Sequence, residues 1–472
     1  MTESFRILAA GALISTLLAQ SQACGDDGTQ TGPDAATRPD AGQDATTGSD
    51  ATRDAGPDAR RPDGSTTDGS TPLPDDCAPL PAPEGQVVHV TPADAPNLAQ
   101  MVRDAAEGTT FLLADGTYDM SGGDSNHRLQ FVTPNLTLRS ESGNPQAVIL
   151  DGSYETHELV SISASNITIA ELTLQRAYDH PIHVTGGADA DIVGTTIYRV
   201  WVIDPGQQGI KVNSSSAGHY ADQGRIECST ILLTDQGRPH IRDNCYTGGI
   251  DMHKAWGWVV RLNHIEGFWC DSGLSEHGIH LWRQCRDTLV ERNLVLNCAR
   301  GIGFGLSQTP DDHPRAYPDN PYPDAGYMDH IDGIIRNNMV AATIAGFDSG
   351  ISLWAAHGAQ VYHNTVVSLS GGFSGIEWRF SSTSGRVINN LSNRPIMARD
   401  NVPVEADANI DDADQALFVD PTSGDLHIDT NIAAAAQVID AGRTLDPGLC
   451  DEDYDGQARD GQPDIGADEV AP

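Results

Sequence analysis

Side chains that transfer protons or carry charge are gathered in the middle of the chain. Residues 249–254 read Gly-Ile-Asp-Met-His-Lys, which places a carboxylate, an imidazole and an ammonium side by side. Lys211 and Lys254 are the two lysines of the whole sequence. A histidine beside a carboxylate suits a base near neutral pH, and an ammonium group neutralises developing negative charge. These residue types could transfer a proton and stabilise negative charge.

This stretch belongs to a repeated pattern, Gly-Ile-x-Φ-x, in which Φ is apolar. Copies and close variants begin at Gly209, Gly249, Gly278, Gly301, Gly350 and Gly375. Neighbouring copies are often about 25 residues apart, a spacing typical of stacked repeats. A matched position in a second strand holds asparagines, for which we expect a hydrogen-bonded ladder without catalytic function: Asn263, Asn293, Asn338, Asn364 and Asn390.

Short β-branched strands separated by glycine turns predict an all-β solenoid, a right-handed parallel β-helix. We assign residues 86–400 to this β-helix and residues 401–472 to a C-terminal cap segment. Residues 96–106 have helical spacing, with apolar side chains on one side. Because stacked repeats leave an open core at their ends, we expect these residues to form an N-terminal helical cap.

Strand alternation decides which side chains of the pattern are available for chemistry. The isoleucine and Φ face the core, so both x positions face outward and align into two columns. The first column is His183, Lys211, Asp251, His280, Gly303, Ser352 and Glu377. The second is Thr185, Asn213, His253, Trp282, Gly305, Trp354 and Arg379. Gly303 and Gly305 lack side chains, which predicts a groove at that repeat, and the mixed charges beside it predict a functional site. The alternative is a solvated face without function.

On this face the catalytic candidates by residue type are Lys211, Asp251, His253 and His280. The candidates for substrate binding lie at the same or adjoining positions: Asn213, Lys254, Trp282, Arg283, Trp354 and Arg379. The two indoles are expected to offer flat surfaces for sugar rings, while packing against a loop is the alternative for Trp282. Residues 307–327 form an insertion that is predicted to overhang the groove, either as a substrate cover or as an inert loop.

Over residues 86–470 the sequence resembles the pectate-lyase-like superfamily of right-handed parallel β-helix proteins. The resemblance covers the N-terminal cap, the repeats and the ending at residues 464–469, Asp-Ile-Gly-Ala-Asp-Glu. Residues 249–253 are similar to the Gly-Phe-Asp-Pro-His of mannuronan C5-epimerases and related uronate lyases. Residues 277–279, His-Gly-Ile, are similar to the His-Gly-Phe of their next coil.

This local resemblance implies that Asp251, His253 and His277 are active-site residues and that Lys211 neutralises a substrate carboxylate. The implied function is lyase or C5-epimerase chemistry on an acidic, uronate-containing polysaccharide. Removal of the C5 proton would be followed by loss of the C4 oxygen in a lyase, or by reprotonation on the opposite face in an epimerase.

The sequence departs from the pattern of that family at two positions. Gly248 stands where the family has tyrosine, with Tyr246 two residues away, and Glu276 stands where it has arginine. The proton donor is therefore not assigned from the sequence. Glycoside hydrolysis by Asp251 with Glu276 or Glu377 is a further option, and a non-catalytic glycan-binding or adhesin-like β-helix is the alternative from another class.

The formal net charge of −38 over 472 residues argues against a nucleic-acid partner, and we expect an exported monomer. Residues 1–23 have the apolar run and small residues of a signal peptide. Cys24 resembles the acylated start of a bacterial lipoprotein, which implies a lipid anchor at the outer membrane or cell surface; plain secretion is the alternative. Residues 24–85 are predicted to form a disordered acidic linker, because they contain almost no large apolar side chains.

Eight cysteines in an exported chain favour disulfides over metal thiolates. Connectivity cannot be deduced from sequence, but the candidate pairs are Cys228 with Cys245, Cys270 with Cys285 or Cys298, and Cys77 with Cys450. Asp451, Asp453 and Asp455 precede Gly456 in the spacing that opens a calcium loop. The twelfth position is Gln462 instead of glutamate, so calcium is a secondary expectation.

Overall fold

Strand pairing in the computed structural model follows the period of the sequence pattern. The structure describes residues 77–242 and 245–470, so the predicted signal peptide, Cys24 and most of the predicted linker lie outside the described residues. Successive repeats add their strands in order to three long parallel sheets. The described chain is therefore an all-β, right-handed parallel β-helix, as predicted.

The three long sheets share a parallel arrangement in which each strand pairs with its counterpart in the next repeat. The first contains Val87–Val90, Thr110–Leu113, Thr137–Ser140, Thr168–Ala170, Thr196–Tyr198, Arg225–Glu227, Val259–Arg261, Leu289–Glu291, Ile334–Arg336, Ala359–Tyr362, Gly385–Ile388 and Val404–Asp407. The second contains Leu129–Phe131, Glu158–Ile162, His180–Thr185, Gln208–Asn213, Gly248–His253, His277–Trp282, Arg300–Phe304, Ser349–Trp354, Ser374–Arg379 and Ile396–Ala398. The third contains Gly116–Asp119, Val148–Asp151, Thr173–Gln175, Trp201–Ile203, Thr230–Leu232, His264–Glu266, Leu294–Leu296, Met339–Ala342, Thr365–Ser368 and Leu391–Ser392.

Smaller sheets and helices complete the described elements. Short parallel strands occur at Ile192–Val193 with Ala221–Asp222, and at Cys285–Arg286, His330–Ile331 and Ala356–His357, while Phe418–Asp420 pairs antiparallel with Asp425–Ile428. The α-helices are Ala95–Arg103 and Asp124–His127, and the 3-10 helices are Pro92–Asp94, Arg238–His240, Gln415–Leu417 and Ala433–Gln437. Among the described residues no helix is long and apolar enough to cross a membrane.

The helix Ala95–Arg103 confirms the N-terminal cap. Its Leu98 and Val102 side chains are fully buried in the core of the β-helix. The chain enters through Thr91, whose backbone N–H donates to Asp94 Oδ2 at 2.8 Å in a capping box. The amphipathic face predicted from helical spacing therefore closes this end of the apolar core.

The second sheet contains the repeated Gly-Ile pattern in the predicted register. Its isoleucines stack in the core with no exposed surface: Ile182, Ile210, Ile250, Ile279, Ile302, Ile351 and Ile376. Lys211 pairs with Asp251, and Asp251 pairs with His280 on the next strand. The outward columns are thus the ones that alternation predicted.

Asparagines line the turn between the first and third sheets. Each side-chain N–H donates to the Oδ1 of the next asparagine at 2.9–3.0 Å, through Asn263, Asn293, Asn338, Asn364, Asn390 and Asn409. The same side chains also donate to backbone carbonyls of neighbouring coils. The predicted ladder is confirmed, and it satisfies polar groups that the turn would otherwise bury unpaired.

Two disulfides form, Cys77–Cys228 and Cys245–Cys270, while Cys285, Cys298 and Cys450 are buried free thiols. The candidate pairings from the sequence were wrong, because spacing along the chain does not report which coil edges meet. Residues 77–85, which the sequence assigned to the linker, contact the first sheet. Leu80 N–H donates to Glu171 Oε1 at 2.7 Å, and Arg139 donates to the Leu80 carbonyl at 2.9 Å.

Much of the segment after residue 400 lies against the outer side of the third sheet. Leu417, Phe418 and Leu426 form a second apolar core together with Met339 and Val367 of that sheet. The apolar contacts of this segment are therefore with the third sheet, on a different face of the β-helix from the outward columns of the second sheet.

Candidate active site

Two adjacent strands of the second sheet bring an ammonium, a carboxylate and an imidazole into contact. Lys211 Nζ lies 2.5 Å from Asp251 Oδ2 and 3.1 Å from His253 Nε2. Because an ammonium has only donors, His253 Nε2 accepts this hydrogen bond, and Nε2 is the ring nitrogen that carries the lone pair. Trp282, on the next strand, donates from Nε1 to Asp251 Oδ1 at 2.7 Å. Lys211 and Asp251 are 5% and 0% exposed, so charges that meet in this cluster are little screened by water.

Tyr246 is the member of the cluster that the sequence did not assign. Its hydroxyl accepts a hydrogen bond from Lys211 Nζ at 2.9 Å and donates to Asp251 Oδ2 at 3.2 Å. The Cys245–Cys270 disulfide and a bond from Thr247 Oγ1 to the Gln207 carbonyl, 2.9 Å, hold the segment on both sides of it. The Tyr246 hydroxyl thus lies within hydrogen-bond distance of both Lys211 and Asp251.

Burial separates the protonation states of these groups. Burial, and then the Asp251 charge, raises the pKa of Tyr246 well above 10.0, so the phenol stays protonated. Burial, and then the Lys211 charge, lowers the pKa of His253 from 6.5 to about 4, so the imidazole is neutral at pH 7. Burial opposes ionisation of Asp251, yet Lys211 and His253 hold its pKa well below 3.8. The site therefore offers a neutral base and a neutral acid beside an ion pair.

The His277 and His280 imidazoles adjoin this cluster, and both are fully buried. Glu276 Oε2 lies 3.0 Å from His280 Nδ1, and His277 Nε2 lies 3.3 Å from Ser352 Oγ. A Cβ at Gly303 would come within 2.7 Å of His277 Nε2, so the imidazole fills the space that the glycine leaves. The predicted bare groove at this rung was therefore wrong.

The comparisons with known proteins give structural matches alone. No protein-family model matches the chain, and no curated protein matches it. Pectate lyase Pel9A is 13% identical, covers 82% of this chain and 97% of its own, and superposes with a TM-score of 0.50. A rhamnogalacturonan lyase (11% identity, 82% and 97% covered, TM-score 0.44) and the A-module of the Azotobacter vinelandii mannuronan C-5 epimerase AlgE6 (11%, 69% and 96%, 0.36) also match. The chain has the fold of Pel9A. At such identities the likeness shows the right-handed parallel β-helix and nothing finer.

On this β-helix the two candidate stacking residues are enclosed. Trp282 and Trp354 are each 6% exposed, so neither offers the open surface expected from the sequence. The Trp282 ring stacks on His280 with centroids 5.0 Å apart, and Trp354 Nε1 donates to Glu377 Oε1 at 2.8 Å. Arg379 lies against the Trp354 ring. Each indole thus donates a hydrogen bond to a buried carboxylate in the other outward column, Trp282 to Asp251 and Trp354 to Glu377.

Glu377 is fully engaged in bonds within the fold. Besides the Trp354 indole, Ser374 Oγ donates to its Oε2 at 2.9 Å and Arg399 donates to its Oε1 at 3.0 Å. A general acid or nucleophile needs a carboxyl oxygen that reaches substrate. The pairing of Asp251 with Glu377 for hydrolysis therefore finds no support in this geometry.

The insertion that follows the Gly303 rung is fixed to the edge of the site. Its Asp311 lies 2.8 Å from Lys254 Nζ and 3.4 Å from Arg283 Nη1. Its Arg315 is buried and forms two bonds of 2.7 and 2.6 Å to the Asp222 carboxylate. Lys254 and Arg283, both expected to bind substrate, thus have a carboxylate partner from the insertion.

The remaining candidates lie apart from the cluster. Asn213 Oδ1 lies 3.1 Å from His183 Nε2. Asp453 is buried and accepts backbone N–H groups from Asp455 and Gln457 at 3.0 and 2.7 Å, while Asp451 accepts from Gly448 at 2.9 Å. In this arrangement Asp451 and Asp453 shape backbone turns of the C-terminal segment.

Proposed function

We propose that this protein is a carbohydrate-active enzyme that acts on an acidic, uronate-containing polysaccharide by lyase or C5-epimerase chemistry. The observation that carries the proposal is the convergence of Lys211, Tyr246, Asp251 and His253 within hydrogen-bond distance. Removal of a proton next to a carboxylate needs a cation, a base and an acid, and each is present here. The activity in the name of Pel9A, a pectate lyase, supports the same substrate class.

The geometry gives each group a role. Lys211 binds the uronate carboxylate and stabilises the enolate-like charge that forms when the C5 proton leaves. His253 accepts that proton at Nε2, whose lone pair is released once Lys211 turns from it to the uronate carboxylate. Tyr246, held protonated, donates to the C4 oxygen in elimination or to C5 from the other side in epimerisation. Asp251 holds Lys211 in place through their ion pair.

The test is incubation of the purified protein with a panel of uronate polymers. Lyase activity appears as ultraviolet absorbance of new unsaturated ends, and epimerase activity appears as changed C5 configuration by NMR. Lys211→Ala and His253→Ala are expected to reduce turnover by roughly 10²-fold or more. His427→Ala, which removes an imidazole paired with Asp425 and Asp455, is the matched control. Absence of unsaturated ends and of epimerised units with every polymer would refute the proposal.

The burial of the cluster favours a second candidate, a β-helix that binds glycans without transforming them. Lys211 and Asp251 are almost inaccessible and already paired, as in a structural ion pair. Calorimetric titration with the same polymers separates the two. Binding without turnover supports this candidate and refutes the enzymatic one.

We also propose that the protein is exported, with a lipid anchor on Cys24. The two disulfides support this location, because such bonds persist in oxidising compartments. Fractionation of producing cells and mass spectrometry of the mature N-terminus test it, with Cys24→Ala as the comparison. An unmodified N-terminus that begins with Met1 would refute it.

A further inference from the structure

We propose that Glu276, His277 and His280 form a binding site for one divalent transition-metal ion of the zinc class. One donor atom from each side chain lies within 4.8 Å of the others. Both imidazoles are fully buried, and the Glu276 side chain is 16% exposed. Two imidazoles and one carboxylate are a donor set typical of zinc, whereas calcium requires six to eight oxygen ligands. The inference is independent of the proposed function.

His277 has a nitrogen available for a ligand. Its Nε2 lies 3.3 Å from Ser352 Oγ, while its buried Nδ1 has no hydrogen-bond partner among the residues that the structure describes. A second nitrogen held by a hydroxyl is the usual way in which a metal-binding imidazole is oriented. Ser352 thus orients the ring while Nδ1 remains available to a ligand.

The charges around Glu276 also favour a cation. The other carboxylates nearby have basic partners, Asp251 with Lys211 at 2.5 Å and Asp348 with Arg300 at 3.2 Å. Within the described part of the chain, the ion pair of Glu276 is with His280 at 3.0 Å. The positive charge of a metal ion bound by this carboxylate and this imidazole would compensate the charge of Glu276.

Gly303, on the strand next to the site, leaves the space that the His277 ring occupies. Gly303 pairs with His280, and any larger residue there would meet the His277 ring, 2.7 Å from the position of a Cβ. His280 is positioned from its other side by the Trp282 ring, which stacks on it at 5.0 Å. With three protein ligands, a tetrahedral ion keeps one position for water or for an oxygen of a bound molecule.

The experiment uses the full chain after treatment with a chelator. Zinc titration by calorimetry is expected to show one bound ion, and cobalt is expected to give the visible spectrum of a tetrahedral site. Glu276→Gln, which preserves size, and His277→Ala and His280→Ala are each expected to weaken zinc binding at least 10-fold. Thermal unfolding of each variant checks that it remains folded.

Two control variants make the result specific. His427→Ala removes the histidine of a second group, His427, Asp455 and Asp468, whose donor atoms also lie within 4.8 Å of one another. It should leave the zinc affinity of the Glu276, His277 and His280 group unchanged, and so should Tyr322→Phe, which removes a hydroxyl bonded to Asp332. Zinc binding that is absent, that persists in folded Glu276→Gln and His280→Ala proteins, or that is lost only in His427→Ala would overturn the proposal.

Discussion

A neutral proton donor and a neutral proton acceptor both contact the Lys211 ammonium. Tyr246 has a proton to donate and His253 has a lone pair to accept one, and both states follow from burial beside Lys211 and Asp251. In water, histidine would titrate close to neutrality and would be partly charged. Here the ion pair supplies the charge, and the neighbours are left uncharged for proton transfer.

Replacement of Tyr246 by phenylalanine tests the assignment of the acid. The change removes one hydroxyl and leaves the 2.5 Å contact between Lys211 and Asp251. We expect kcat on the responsive uronate polymer to fall by roughly 10²-fold or more, with a much smaller change in KM. Steady-state kinetics measure both.

Tyr322→Phe is the matched control. The Tyr322 hydroxyl also donates to a carboxylate, that of Asp332, and Tyr322 belongs to the insertion at residues 307–327. It should retain full turnover. If Tyr246→Phe keeps the wild-type kcat, the hydroxyl is a structural partner of Asp251 and another group must donate the proton.

At this scale the sequence reveals strand residues better than loop residues. Lys211, Asp251 and His253 were found because alternation within a repeated strand fixes their direction. Tyr246 precedes the strand, and its position depends on the Cys245–Cys270 disulfide, which no periodicity reports. A loop residue that acts across coils is set by tertiary contacts, so its spacing carried no signal.

The asparagine ladder shows how an element of the fold is stabilised from within. Asn338 donates to the Val290 carbonyl at 3.0 Å and to Asn364 Oδ1 at 2.9 Å, and it accepts from Asn293. Each interior rung therefore satisfies groups on both neighbouring coils. This ladder was predictable, because the same residue type recurred at one position of the repeat.

Asn338→Ala is expected to lower the free energy of unfolding by about 2–4 kcal/mol, since it leaves several buried donors and acceptors unpaired. Denaturant unfolding followed by circular dichroism measures the change. Asn409→Ala is the matched control at the half-buried last rung, where it accepts from Asn390 at 2.9 Å. Equal losses of unfolding free energy in the two variants would show that an interior asparagine contributes no more than the last one.

The burial of the second sheet's outward columns was the element-scale feature that the sequence did not reveal. Alternation fixed the direction of Trp282 and Trp354 correctly, yet it does not state what lies above a strand. Asp311 from the insertion reaches Lys254 and Arg283, and Tyr246 covers Lys211. Polar residues that point outward predict a solvated groove, whereas in the structure neighbouring loops and large side chains enclose them.

At the scale of the whole molecule, buried neutral histidines make stability depend on pH. Those whose pKa burial lowers are His180, His253, His277, His330 and His363. The pKa values of His180 and His330 fall to about 3, and that of His253 falls to about 4. Between pH 6.5 and these values the unfolded chain binds protons that the folded chain does not, so stability is lost as the pH falls.

Some groups act in the opposite direction. The pKa of Asp464 rises to about 6 because it is buried, and the pKa of His427 also rises, chiefly through Asp425 against the effect of burial. Burial raises the pKa of Asp329, Asp332 and Asp468 as well. Such carboxyl groups bind protons more readily in the folded state, and for them acidification is stabilising. The stabilising effect of Asp464 begins as the pH falls through about 6, close to the pH at which unfolded histidines begin to bind protons, but five histidines act against it.

We therefore expect the free energy of unfolding to fall from pH 6.5 to pH 5 by at least about 1.4 kcal/mol per pH unit, the slope of one net proton. Denaturant unfolding at fixed ionic strength and at pH 7, 6 and 5 measures it. His330→Gln, which removes a buried imidazole that stacks on Phe304 with centroids 3.8 Å apart, should make this slope shallower by up to about 1.4 kcal/mol per pH unit. Stability that stays constant or increases between pH 6.5 and 5 would mean that the raised carboxyl groups dominate, and that the imidazoles of the site are not held neutral by the fold.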